Sequence, residues 1–148
     1  MYSLKDLYQE VIIEHSKNPR HLGSMQDPTH QQEGFNPLCG DKIKVYLQIC
    51  NNKITAVNYE SCGCAISTAS ASLMAEAMTG KTIEQAEAMF KAFHLMVTTD
   101  TVGDEKVLGK LLVLGGVAAY PSRVKCASLA WHTLQAAYLS KNDRITTE

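Results

Sequence analysis

The chain predicts an α+β domain, a small antiparallel sheet with helices packed on one face. Three observations carry that expectation. Apolar residues open the sequence at helical spacing, and a strict two-residue alternation then runs on either side of an Asn-Asn pair. From Ala65 the apolar period becomes helical and stays so almost to the end. One helix, a hairpin and a run of helices is the element order of a sheet covered on one face.

The first helix presents Leu4, Leu7, Tyr8, Val11 and Ile12 on one side; Ser3 can cap it and Asn18-Pro19 ends it. Residues 18–42 are rich in Pro, Gly, Asn, Gln and His and read mainly as loop, with room for one short edge strand. Ile43, Val45, Leu47 and Ile49 alternate with Lys44, Tyr46 and Gln48, the pattern of a half-buried strand. Asn51-Asn52 tolerates positive φ and suits a two-residue turn, and Lys53 to Glu60 forms the return strand. Ile66, Ala69, Ser70, Leu73, Met74 and Ala77 then line a helix that Gly80 stops. Thr82-Ile83-Glu84-Gln85 is a capping-box start for a helix bearing Ala86, Phe90 and Phe93. Thr98 to Asp104 reads as loop, and Lys106 to Leu114 as a short helix before Gly115-Gly116. A last helix buries Leu129, Ala130, Leu134, Ala137 and Tyr138. The organisation is one domain over residues 1–141 and a polar, mobile tail over 142–148.

The balance of 14 basic and 15 acidic residues gives no electrostatic reason to expect a nucleic acid or an anionic membrane as partner. No apolar run approaches the ~18 residues of a membrane helix, and the start lacks a signal-peptide pattern. The expected location is the cytoplasm. Five cysteines there point to metal binding or thiol chemistry rather than disulfides.

Three segments concentrate that chemistry: Asn36-Pro37-Leu38-Cys39-Gly40-Asp41, Ser61-Cys62-Gly63-Cys64-Ala65, and Pro121-Ser122-Arg123-Val124-Lys125-Cys126-Ala127. The first enters the hairpin and the second leaves it, so Cys39 and Cys64 are expected to be neighbours. Cys64 and Cys126 are both expected at helix starts, where free backbone N–H groups favour a thiolate. Gly40 permits a tight turn that lets Cys39 and Asp41 point at one ion. Three thiolates and a carboxylate form a tetrahedral set suited to zinc, and a thiolate-rich site also accepts iron–sulfur chemistry. With a divalent ion the set keeps a net charge of −2, which Arg123 and Lys125 could offset while holding an anionic persulfide.

Asn36-Pro37-x-Cys39-Gly40-Asp41, Gly63-Cys64-Ala65-Ile66-Ser67-x-Ala69-Ser70-Ala71-Ser72 and Pro121-x-Arg123-x-Lys125-Cys126-Ala127-x-Leu129-x-Trp131 resemble the NifU N-terminal and IscU-like family. Asp6-Leu7-Tyr8 and His15-Ser16-Lys17-Asn18-Pro19-Arg20 fit it too. Within the family the chain is most similar to the SufU type: Lys125 stands where the IscU type has a histidine ligand, and the stretch from Cys64 to Cys126 is long. The resemblance implies zinc held by Cys39, Asp41, Cys64 and Cys126, with a SufS-type cysteine desulfurase and downstream cluster-assembly proteins as partners. It also implies that Cys39 accepts sulfur once a partner histidine replaces it on zinc. A loop position beside Gly40 agrees with that mobility. The competing readings are a scaffold on which a 2Fe-2S cluster is assembled, and a purely structural zinc domain.

Cys62 departs from the family pattern and reads as a small strand-end residue, a spare ligand or a resolving thiol; Cys50, at the hairpin turn, reads as a bystander. His15, His21, His30, His94 and His132 have no ligand-like neighbours and read as surface or structural. The small-residue run Ser67 to Ser72 reads as close helix packing.

Overall fold

A computed structural model describes residues 4–37, 40–99, 104–139 and 145–146. The elements run α1 (Leu4–Lys17), β1 (His30–Asn36), β2 (Asp41–Cys50), β3 (Lys53–Cys62), α2 (Ala65–Met78), α3 (Ile83–Thr99), α4 (Glu105–Leu108), a 3₁₀ segment (Gly109–Ala119), α5 (Pro121–Tyr138) and β4 (Ile145–Thr146). The sheet order is β3-β2-β1-β4, antiparallel except for the short parallel pairing of β4 on β1. Among the described residues no helix is long and apolar enough to cross a membrane.

The hairpin forms as its sequence dictates. Asn51 and Asn52 take φ of 52° and 64°, the left-handed pair that a two-residue turn needs to match strand twist. Inward residues Val45, Leu47, Val57 and Tyr59 are fully buried, while Lys42, Glu60 and Cys62 are exposed on the other face. The helices therefore cover one side of the sheet only.

Helix α5 is the spine of the covered face, packing on α2, α3, β1 and β2. Gly34 of β1 makes that possible. A methyl group built there would lie 2.0 Å from Thr133 Oγ1 of α5 and 3.1 Å from Leu129 Cδ1. Trp131, fully buried, stacks on Phe93 with ring centroids 4.2 Å apart, and its indole N–H donates to Ser70 Oγ at 3.1 Å. Ser70 in turn donates to the Ala127 carbonyl. The small-residue run of α2 is thus close helix packing that also satisfies a buried indole.

The capping box before α3 is present in both directions: Gln85 N–H donates to Thr82 Oγ1 at 3.1 Å, and Thr82 N–H to Gln85 Oε1 at 3.0 Å. Thr82→Ala should cost about 1 kcal/mol, read as a shift in the urea midpoint at constant slope.

Four expectations change. Residues 18–42 hold a seven-residue strand, β1, and it is flanked on both sides rather than lying at an edge. Helix α3 continues to Thr99, into the stretch read as loop, of which residues 100–103 lie outside the described residues. The helix read from Lys106 to Leu114 is instead a single turn, α4, ended at Gly109 with φ of 51°. An eleven-residue 3₁₀ segment follows and runs through Gly115-Gly116. Its stripe is Leu111, Leu114 and Val117, all buried and three residues apart, the repeat that 3₁₀ geometry superposes. Gly115 lets that coil approach Met96, whose Sδ would be 3.4 Å from an added methyl. Finally, Ile145 and Thr146 of the polar tail pair with β1; the expected Ser3 cap and most of the tail lie outside the described residues.

His15 is structural. It is 2% exposed, with Nδ1 2.7 Å from Ser72 Oγ, which also accepts the Arg20 N–H at 2.9 Å. Burial, then the Arg20 charge, holds the His15 pKa below its ordinary 6.5, and burial does the same for His132. Both rings hold a proton less readily when folded than in the unfolded chain, so the unfolded state binds more protons as the pH falls through about 6.5. Stability should therefore fall as pH drops from 7.5 to 5.5, followed by denaturant midpoint. His15→Asn, which keeps an acceptor but cannot titrate, should flatten part of that slope.

Candidate metal centre

Asp41, Cys64 and Cys126 converge: their ligand atoms all lie within 4.8 Å of one another. Each comes from a different element. Asp41 is the first residue of β2, 1% exposed, and is the ladder partner of Asn36. Cys64 caps α2 in an extended conformation, half-buried. Cys126 lies in the second turn of α5, 3% exposed.

That last placement corrects the expectation of a helix start. Pro121 opens α5 one and a half turns earlier, so Cys126 lies beyond the first turn that carries the free N–H groups. Its place is set instead by α5 packing on the sheet. Cys64 does sit at a helix start, and Asp41 shares it: Asp41 Oδ1 accepts the Cys64 N–H at 3.0 Å, and Oδ2 is 3.9 Å from Cys64 Sγ. A carboxylate at the N-terminus of α2 is favoured by the helix dipole.

Gly63 makes this contact possible. Continuing the β2–β3 register beyond the Lys42–Cys62 pair puts Gly63 across from Asp41. A methyl there would stand 2.3 Å from Asp41 Oδ1 and 2.8 Å from Cγ. Sequence reasoning quoted this glycine in a motif but gave it no role; its signal was a lone small residue between two cysteines.

The donors fit a metal. Tetrahedral zinc with thiolate and carboxylate ligands spaces its donor atoms about 3.5–3.8 Å apart, a small contraction of the group present. Two of the three donors are buried, and a buried carboxylate beside thiols that makes no ion pair among the described residues is costly. Three donors leave one tetrahedral position. The connection between β1 and β2, residues 37–40, begins and ends beside Asp41, its ends tied by the Gly40 N–H donating to the Asn36 carbonyl at 2.8 Å. Gly40 has φ of 76°, open to glycine without strain. Cys39 lies outside the described residues.

Arg123 is exposed and Lys125 half-buried, both in the first turns of α5; neither makes an ion pair among the described residues. Arg123 stands one helical turn before Cys126, on the same side of α5. Cys62 is exposed on the outer sheet face opposite Lys42, and Cys50 is exposed at the hairpin tip; neither joins the metal group. No histidine joins it among the described residues.

Comparison with known proteins places nearly the whole chain among relatives. The chain is 39% identical over 133 residues to the zinc-dependent sulfurtransferase SufU of Bacillus subtilis, covering 90% of each chain. It is 40% identical over 134 residues to the iron-sulfur cluster assembly scaffold protein IscU of Streptococcus pyogenes, covering 90% of this chain and 84% of that one. Among solved structures, a putative iron-sulfur cluster assembly scaffold protein for the SUF system from Fervidobacterium islandicum superposes with a TM-score of 0.83 at 37% identity, covering 91% of this chain and 98% of that one. The family model for the NifU-like N terminal domain matches residues 7–141, and the chain belongs to that family.

Proposed function

We propose that the chain is a zinc-dependent sulfurtransferase of the cytoplasm, a carrier that accepts persulfide sulfur from a SufS-type cysteine desulfurase for iron–sulfur cluster assembly. The observation that carries this reading is the Asp41, Cys64 and Cys126 group, in which Asp41 directly follows the connection that contains Cys39. Residues 1–141 are the functional unit in this reading.

Zinc at this site would keep its thiolates deprotonated and brings no redox chemistry of its own. The chain's own residues divide the remaining work. Asp41 is fixed by the ladder and the Cys64 N–H, while Cys64 and Cys126 are carried on packed helices. Cys39 is one residue from Gly40 and two from Asp41, so trans-peptide spacing holds its Cα within about 7 Å of that of Asp41. It is the ligand that can leave. Its thiolate attacks the outer sulfur of the partner's persulfide; the S–S bond breaks, the partner's cysteine thiolate departs, and Cys39 carries the persulfide. Arg123 and Lys125 supply positive charge beside that anion.

The names of the relatives divide between sulfur transfer and cluster scaffold at nearly equal identity. Lys125, in place of a fourth nitrogen ligand, favours transfer. The test is to purify the protein without added metal, measure zinc and iron, and assay a cysteine desulfurase with and without it. Stoichiometric zinc, with activation abolished in Cys39→Ala, supports transfer. Bound iron with visible absorption and no activation favours the 2Fe-2S scaffold. Zinc with no activation leaves a structural module.

A further inference from the structure

We propose that Cys62 and Cys64 form a reversible disulfide that withdraws Cys64 from the metal group, making the centre responsive to low-molecular-weight disulfides. Cys62 is the last residue of β3, exposed and directly opposite Lys42. In an extended strand residues two apart face the same side, so Cys64 would share the outer face with Cys62. The chain bends at Gly63, and that bend alone turns Cys64 inward to Asp41. Two trans-peptide steps span at most about 7 Å, and a bend shortens them into the roughly 4.4–6.8 Å that a disulfide requires between Cα atoms. Gly63 is also the residue best able to let the neighbouring backbone rotate.

Access decides which thiol reacts first. Cys126 is 3% exposed and Cys64 half-buried. Cys62 is exposed and lines a groove of about 440 Å³ on the outer sheet face with Lys42, Lys44 and Glu33, so a small disulfide can reach it from solvent. The Cys62 thiolate attacks one sulfur of the disulfide RSSR, forming Cys62–S–SR and expelling RS⁻. The Cys64 thiolate then attacks the Cys62 sulfur and expels the second RS⁻. Two protein thiols are oxidised, RSSR is reduced to two RSH, and the metal group has lost one of its three described donors. Excess thiol reverses both steps.

The consequence for metal rests on the zinc reading above; the disulfide itself does not. The full chain, both zinc-loaded and chelator-stripped, is incubated with oxidised glutathione. Peptide mass mapping and zinc release to a colorimetric chelator are followed beside Cys62→Ser and Cys50→Ser. The expected result is a Cys62–Cys64 link in both forms, with zinc released roughly tenfold faster from wild type and Cys50→Ser than from Cys62→Ser, and recovery on adding thiol. A link that avoids Cys62, or equal release from Cys62→Ser, overturns the proposal. A chain that holds no zinc when purified sinks the metal reading, while mapping of the stripped form still decides the disulfide.

Discussion

Gly63→Ala should lower zinc affinity about 10–100-fold, the range typical of losing support to a metal ligand, with little effect on folding of the metal-free chain. The added methyl meets Asp41 Oδ1 at 2.3 Å, Cγ at 2.8 Å and Cβ at 3.2 Å. These contacts belong to one side chain, whose carboxylate can rotate away. Gly63 is exposed and has no positive φ, so nothing else needs to move. The displaced carboxylate loses both its bond from the Cys64 N–H and its place within reach of the two sulfurs. Competition against a chelator of known affinity measures the first effect, and the urea midpoint of stripped protein the second. Asp41→Asn keeps the shape and the N–H acceptor but removes the charge, and should weaken zinc comparably. If Asp41→Asn weakens zinc and Gly63→Ala does not, Asp41 is a ligand whose place does not depend on Gly63. If neither does, Asp41 is not a ligand.

Much of this centre was legible because its parts are local. Asp41 at the entrance of a hairpin and Cys64 at its exit must meet once the alternation around Asn51-Asn52 is read. Cys126 was harder. It was expected at a helix start, but Pro121 begins α5 earlier and leaves Cys126 in the second turn, on a helix that packs on β1 and β2. The strand β1 was obscured because Gln31, Gln32 and Glu33 give it no apolar alternation; its pairing with β2 supplies the reason to be extended. The 3₁₀ segment was misread because Leu111, Leu114 and Val117 fit a period of three or of 3.6 equally over so few turns. The glycines were invisible for a different reason. What Gly34 and Gly63 do depends on atoms about 100 and 20 residues away in sequence, and no local pattern reports that.

Gly34→Ala is the second large effect, and it should fall on the fold. The new methyl would lie 2.0 Å from Thr133 Oγ1, 3.1 Å from Leu129 Cδ1 and 3.3 Å from Ile43 Cγ2. Thr133 is fully buried, and its hydroxyl donates to the Leu129 carbonyl at 2.8 Å, so it has no solvent to swing into. Either α5 lifts from β1 or Thr133 leaves its rotamer, and overpacking of this kind costs about 1–3 kcal/mol. For a chain of this size that is a fall in Tm of roughly 2–12 °C. Because α5 carries Cys126 and β1 leads into the connection holding Cys39, a lifted helix would widen the metal group as well. Thr133→Ala removes the closest atom and places a better helix former in α5. In that background Gly34→Ala should cost at least about 1 kcal/mol less than it does alone, because only the two looser contacts remain to be relieved. Additive losses in the double-mutant cycle would mean that the clash is absorbed elsewhere and that Gly34 does not set the distance between helix and sheet.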